Sequence, residues 1–433
     1  MHILTSLLLA SALASNPEIE YSGRIDFSNP DAPRFSYSGV SIRANVDAAE
    51  IGVVLDDERG QNYFAIIIDK VYTGKLQTTA GKKTYTIAQF GKKSVHEVEM
   101  VKITEEMFGK VTFYGFDLGS SGQLTPIADK REHLIEFVGN SITCGYGNEG
   151  LLGQQFCAET ENHYMSYAAI TARSLNARPL VASKSGIGIY RNYAGPSEGN
   201  EDCMSNFYNR TFLYDAEPKF SFSEQPDLVC INLGTNDFNT PGTDTSKYIE
   251  RYINLIEQMQ SNYRKPEIVC LLGPMLEGET LNLARKCINE VVRRANILAN
   301  GKVYFFEMTS QQADINGLGT DYHPTVKQHI LSARQLTTFI SQLKGWPVTP
   351  QFLQAKILRN SQIVLYANSP DCLDVLDGIS VDVDGKNIAA TVSADKSNCS
   401  ATISLKTDLD KAKVVKISGN AVFNSMMRCV VTK

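Results

Sequence analysis

Three regimes of hydrophobic patterning divide the chain. Across residues 18–118, apolar and polar positions alternate in short runs, at 41–46, 51–55, 63–69, 83–88, 95–103 and 111–118. A period of two turns one face of a strand to a core and the other to water, so each run predicts a half-buried strand. Asp57-Glu58-Arg59-Gly60 and Thr73-Gly74 break the pattern with turn-forming residues and fit hairpin connections. Residues 15–122 are therefore expected to form an antiparallel β-sandwich.

Gly119-Ser120-Ser121-Gly122 and the polar stretch to Arg131 read as a linker, after which the apolar runs become continuous. Runs at 134–138, 178–183, 228–233, 268–272 and 303–307 suit strands buried on both faces, as in parallel sheets. Between them lie helical patterns at about 164–176, 246–260, 280–298 and 325–343, with Ile249, Ile253 and Ile256 on one face of the second. Strands alternating with helices over residues 133–345 predict a doubly wound α/β domain whose functional groups gather at the C-terminal strand ends. Gly345-Trp346-Pro347-Val348-Thr349-Pro350 then punctuates the chain, and residues 351–433 return to short β-like runs at 361–366, 379–383, 388–393, 401–405 and 413–418. This third unit reads as a small β-domain of unknown role. Asp382-Val383-Asp384-Gly385 in it has part of a calcium-loop pattern without the remaining ligands, and a hairpin turn is the expectation.

Composition narrows the function classes. The 433 residues carry 42 basic and 47 acidic side chains, interspersed, for a net charge of -5, which argues against a nucleic-acid or anionic-membrane partner. Residues 1–14 place an apolar run before Ala12-Leu13-Ala14, the small-x-small pattern of a secretory signal cleaved ahead of Ser15, although no Lys or Arg precedes the run. The mature protein is then expected outside the cell. Nine cysteines in such a chain permit disulfides: Cys157 with Cys203, and two of Cys372, Cys399 and Cys429, are the candidates, whereas Cys230, Cys270 and Cys287 read as buried thiols. No Cys/His spacing suggests zinc, and no motif calls for a cofactor. Asn209 and Asn398 begin N-x-S/T sequons.

The chemistry begins at Leu134 to Gly147, LIEFVGNSITCGYG, where Ser141 stands at the end of a predicted buried strand. A serine hydroxyl is a poor nucleophile unless a base takes its proton and donors await the oxyanion. Downstream, Ser185-Gly186-Ile187-Gly188 follows the second strand, Gly234-Thr235-Asn236-Asp237 follows the third, and Asp321-Tyr322-His323-Pro324 precedes the last long helix. Each block alone is as well explained as a turn or helix cap. Together, in this order and each at a strand end or helix start, they make Ser141 the candidate nucleophile and His323 the candidate base. Asp321 is the natural group to orient the ring, and the Ser141 backbone, the Gly186 backbone and the Asn236 side chain are the candidate oxyanion donors.

This order of blocks resembles the SGNH hydrolases. With the acid two residues before the histidine, the stretch from Gly139 to Gly147, and an N-terminal β-region containing His96-Glu97-Val98-Glu99 and Lys102-Ile103-Thr104-Glu105, it is similar to carbohydrate esterase family 2. The resemblance covers about residues 20–345. It implies a flavodoxin-like, three-layer SGNH domain behind a jelly-roll β-domain, and removal of acetyl groups from O-acetylated polysaccharides such as xylan or glucomannan. It also implies Ser141, His323 and Asp321 as catalytic residues and Ser141, Gly186 and Asn236 as the oxyanion hole, with Gly188 competing for that role. Tyr322 stands where the family often has Trp, and with Tyr190 is a candidate for lining the substrate cleft. Two rivals remain: a GDSL-type lipase or acylesterase of other substrates, and a non-catalytic glycan-binding protein.

Overall fold

The structure is a computed structural model that describes residues 12–264, 266–298, 302–359 and 361–432. The expected signal segment lies outside the described residues except for its last three. Of these, Ala12–Leu13 forms a short strand antiparallel to Val111–Asp117, and Ala14 is buried with its N–H donating to Tyr114 O at 3.1 Å.

The strands of the N-terminal region pair antiparallel and are built on two long ones, Ser41–Asp57 and Gly81–Lys102, which pair with each other. Sequence patterning divides each of them in two. The division reflects register shifts between Ala48 and Glu50, where residues 90–93 of the second strand stand against one residue of the first, and between Ile51 and Gly52, where Ile87 is extra; these reset the in/out alternation without ending the strand. Thr73-Gly74 is likewise not a turn: it lies inside the strand Val71–Gln77, at a register shift opposite Ile66/Ile67. The hairpin turns instead at Asp69-Lys70, both with positive φ. The expected linker contains a further strand, Gln123–Thr125, paired with Asn45 to Asp47.

In the second region β1 (His133–Gly139), β2 (Ala177–Ser183), β3 (Leu228–Asn232), β4 (Glu267–Leu272) and β5 (Val303–Glu307) form a parallel sheet in the order β2-β1-β3-β4-β5. Helices α1 (Tyr167–Ser174), α2 (Thr245–Asn262), α3 (Gly278–Leu298) and α4 (Val326–Lys344) cover both faces. Alternate residues of each strand serve opposite layers: Val229 and Ile231 pack with Ile253 and Ile288, while Leu228 and Cys230 pack with Ile170 and Ile330. The chain moves from β1 outward to β2 and then crosses to β3. That switch opens a crevice beyond the ends of β1 and β3, where Ser141 and Asn236 follow.

The last region has two sheets, a mixed one built on Phe352–Arg359 and Gln362–Ala367, in which Val431–Thr432 pairs parallel with the first, and an antiparallel one of Ser380–Val383, Lys386–Ile388 and Val415–Ser418. The expected strand at 388–393 is divided between the two. Asp384-Gly385, both at positive φ, makes the hairpin turn. The regions are not independent beads. Arg24 of the first reaches Glu136 on β1 as a fully buried ion pair at 3.1 Å, and Tyr72 exchanges backbone hydrogen bonds with Arg428 and Val430 of the third.

The expected disulfides are not formed, and all nine cysteines are free thiols. Each candidate sulfur faces an acceptor of its own: Cys203 donates to Asn192 Oδ1, Cys372 to Asn368 Oδ1, Cys399 to Lys396 O and Cys429 to Phe352 O. Cys157 is exposed and turned to Thr160. Among the described residues, no helix is long and apolar enough to cross a membrane.

Candidate active site

β1 ends at Gly139, and Asn140 caps the short helix Ser141–Cys144, its side chain accepting Ile142 N–H at 3.0 Å. The cap sets Ser141 on the first turn, buried except for 6% of its surface, with its hydroxyl at the sheet edge. The glycine-rich continuation has a steric reason. Gly147 has φ +56°, and a Cβ there would lie 2.6 Å from Thr320. Close approach allows Thr320 N–H to donate to Gly147 O and Val326 N–H to Asn148 O, both at 3.1 Å. These bonds bind the loop after the serine to the segment that carries the histidine.

His323 Nε2 lies 2.8 Å from Ser141 Oγ. Its Nδ1 faces two backbone carbonyls, Thr320 O at 3.2 Å and Asp321 O at 3.1 Å. Two acceptors at Nδ1 assign the proton to that nitrogen and leave the Nε2 lone pair for the serine hydroxyl. Burial lowers the His323 pKa from its ordinary value, opposed by the two carbonyl bonds and the Asp321 charge, so the ring is held toward its basic, neutral form.

The structure does not bring the Asp321 carboxylate to the ring. Asp321 and Tyr322 both take left-handed backbone, φ +51° and +64°, a turn that presents the Asp321 carbonyl to the imidazole. The carboxylate instead accepts the Tyr146 hydroxyl at 2.8 Å. Left-handed non-glycine residues cost on the order of 1–3 kcal/mol each and persist where their surroundings over-determine them. Here Gln311 Nε2 donates to Tyr322 O at 2.8 Å and Gly319 N–H to His323 O at 2.8 Å.

The loop after β2 carries Gly186 at φ +78°. A Cβ on it would meet only Tyr193, at 3.9 Å, so its surroundings are open. Among the described residues the N–H groups of Ser141 and Gly186 donate to no protein acceptor. Asn236, 6% exposed on the short helix after β3, donates one amide hydrogen to Ile187 O at 2.7 Å and keeps the other free. Gly188 is differently employed: its N–H donates to Asn192 Oδ1, and a Cβ would lie 1.9 Å from Arg191 O, so its smallness serves a turn. Tyr190 does not line the cleft, being buried with its hydroxyl accepting Asp244 N–H. Tyr322 is 64% exposed next to the histidine.

Two contributors escape a reading of the sequence. Tyr146 stacks on Phe156 with centroids 3.7 Å apart and leans on His323 at 4.5 Å, walling the site on one side. Asp237 accepts the N–H groups of Ile189, Tyr190 and Arg191 at 3.0 Å each and pins the loop beyond Gly186. Burial pushes its carboxyl up to about 6, against the pull of these donors. An Asn-Asp pair after a strand signals a cap, but only the fold shows which loop it caps. Among the described residues, one group could hold a metal: Glu105, Cys144 and Glu161, with donor atoms within 4.8 Å of one another. Burial raises all three above their ordinary values, which favours protons over charge there.

The carbohydrate esterase 2 N-terminal family model matches residues 21–127, and the GDSL-like lipase/acylhydrolase family model matches residues 137–330. Residues 351–433 lie outside both. The cellulase/esterase CelE of Acetivibrio thermocellus is 40% identical over 333 residues, 76% of this chain but only 40% of that protein's length. An acetylxylan esterase/glucomannan deacetylase of Cellvibrio japonicus is 26% identical over 336 residues, 77% of this chain and 91% of its own. A solved family two carbohydrate esterase from Clostridium thermocellum, in complex with cellohexaose, superposes with a TM-score of 0.72 at 39% identity, covering 76% of this chain and 99% of that one.

Proposed function

The chain belongs to carbohydrate esterase family 2, and from that premise we propose that it is a secreted serine esterase removing O-acetyl groups from polysaccharides such as xylan or glucomannan. The observation that carries the reading is the 2.8 Å contact between Ser141 Oγ and His323 Nε2. A base at hydrogen-bond distance with its other nitrogen occupied can take the serine proton.

In the proposed reaction Ser141 Oγ attacks the acetyl carbonyl carbon while its proton passes to His323 Nε2. The negative charge that develops on the carbonyl oxygen is received by Ser141 N–H, Gly186 N–H and the free amide hydrogen of Asn236, donors fixed before the substrate arrives. Collapse breaks the bond to the sugar oxygen, which leaves with the proton from Nε2, and acetyl stays on Ser141. Water repeats the sequence and releases acetate. His323 is oriented by carbonyl oxygens, so the working unit is a Ser-His dyad, and Asp321 acts through Tyr146 and the field of its charge. The relative named for acetylxylan and glucomannan supports that substrate class for this chain.

Release of acetate from acetylated xylan, acetylated glucomannan and a small aryl acetate tests the reading. Ser141→Ala should abolish all three, and undiminished rates would end it. A sharp preference for acetyl over longer acyl esters is expected, and the opposite would favour a lipase-like acylesterase. Secretion predicts a mature protein that begins at Ser15, which the mass of the exported chain decides.

A second reading is favoured by one observation. Tyr322, 64% exposed beside His323, offers a flat face at the mouth of the site, and the solved relative is in complex with cellohexaose. Unacetylated glucan would then bind across the catalytic cleft. Inhibition of aryl acetate hydrolysis by cellohexaose, lost in Tyr322→Ala, would support it.

A further inference from the structure

We propose that Glu105, a residue of the N-terminal β-domain, positions the oxyanion loop of the catalytic domain, so that the two domains build one active site. Its Oε2 accepts Ser185 N–H at 2.8 Å, one residue before Gly186 and 80 residues away along the chain. The proposal rests on the reading that Gly186 N–H receives the oxyanion.

The loop needs such a hold. Gly186 has no side chain to pack, and its φ of +78° is one of several that glycine adopts at little cost. The peptide plane that aims its N–H is fixed only if both flanks are tied. On the far side Tyr193 N–H donates to Gly186 O at 2.8 Å and Asn236 to Ile187 O at 2.7 Å. On the near side Lys184 N–H donates to Gly139 O at 3.2 Å, which ends the sheet pairing, and Ser185 N–H is held by Glu105.

Glu105 is itself immobilised from both domains. It is 1% exposed. Its own N–H donates to Glu161 Oε2 at 3.0 Å, and its carbonyl accepts Lys102 Nζ at 3.2 Å. Lys102, fully buried, also donates to Thr104 O at 2.6 Å, and His163 N–H of the catalytic domain donates to Ile103 O at 3.1 Å. The end of the long strand Gly81–Lys102 is thus locked into the catalytic domain directly behind Ser185, which accounts for Lys102-Ile103-Thr104-Glu105 standing as a block. Burial raises the Glu105 pKa and lowers that of Lys102 to about 8. A protonated carboxyl still has a carbonyl oxygen that can accept Ser185 N–H, so the hold does not depend on charge.

The test is kinetic, on aryl acetate, with melting temperature measured alongside. Glu105→Ala removes the acceptor and should lower kcat by about 10- to 100-fold with KM changed less than threefold, because a misaimed donor weakens the transition state more than the bound ester. Glu105→Gln keeps an oxygen at the same reach and should recover most of the loss. The acid limb of the pH profile should stay in place in both, since His323 is not addressed. If Glu105→Ala fails to fold, Glu105→Asp, shorter by one methylene, should still lower kcat about tenfold at unchanged KM. Glu105→Ala within threefold of the parent kcat would overturn the proposal, as would Gln and Ala variants that lose activity equally in step with melting temperature. Undiminished activity in Ser141→Ala would instead refute the underlying catalytic reading, and so separates the two failures.

Discussion

Asp321→Asn is the substitution at which a carboxylate-held and a carbonyl-held histidine part most widely. In a Ser-His-Asp triad the same change leaves the geometry intact but favours the wrong tautomer, at a cost of roughly 10⁴ in kcat. Here the two acceptors of His323 Nδ1, Thr320 O at 3.2 Å and Asp321 O at 3.1 Å, belong to the backbone and survive the substitution. The Tyr146 hydroxyl, 2.8 Å from Asp321 Oδ2, can donate equally well to the asparagine oxygen. What is lost is the charge, and Asp321 is exposed, where water screens it. An exposed charge acting on a neighbour is worth about fivefold in rate or less. The direction of the pH effect follows from the same balance. Burial lowers the His323 pKa while the Asp321 charge raises it, so removing the charge lowers it further. The neutral ring is the base, so the acid limb of kcat/KM should move to lower pH. Rates on aryl acetate from pH 4 to 8, with circular dichroism to verify folding, measure both effects. A loss of about 10³ or more in a folded variant, or a limb displaced upward, would refute the carbonyl-held histidine.

The patterning of the sequence shows the sheet because its inner strands are buried on both faces: Leu228–Asn232 is buried throughout and Glu267–Leu272 from Ile268 onward, and the strand ends differ from expectation by a residue or so. The meeting of Ser141 and His323 is legible because strand ends and the last helix start are where such a sheet opens, and the same rule singles out Asn236 as a candidate. The bulges in Gly81–Lys102 are not legible, since residues inserted into a ladder look the same as a turn when only periodicity is read. Asp321 shows a deeper limit. Residue type and spacing allow a carboxylate to reach the ring, and the decision is made by two left-handed backbone angles, held by a bond from Gln311 on the preceding loop and by contact with Gly147, which lies far off in the chain. Glu105 is equally hidden, because a residue just beyond a strand of one domain acquires its partner only when the second domain docks.

Three further outcomes are expected. Asn236→Ala should lower kcat by about 10² to 10³ with little change in KM, measured on aryl acetate, and a loss under tenfold would remove the amide from the oxyanion hole. In the parent enzyme kcat/KM should rise with pH along a limb centred below 6.5, because burial depresses the His323 pKa, and a flat profile between pH 4 and 7 would contradict a histidine base. Asp237→Ala should cost both stability and rate. Its carboxylate accepts the buried N–H groups of Ile189, Tyr190 and Arg191, and each donor left unpaired costs about 1–3 kcal/mol. The loop can escape part of that penalty only by shifting until water reaches the donors, and Ile187, which anchors Asn236 at 2.7 Å, lies in the same loop. A lowered melting temperature should therefore come with a kcat loss measurable well below it, whereas full activity in a destabilised Asp237→Ala protein would show that the loop and the oxyanion site are uncoupled.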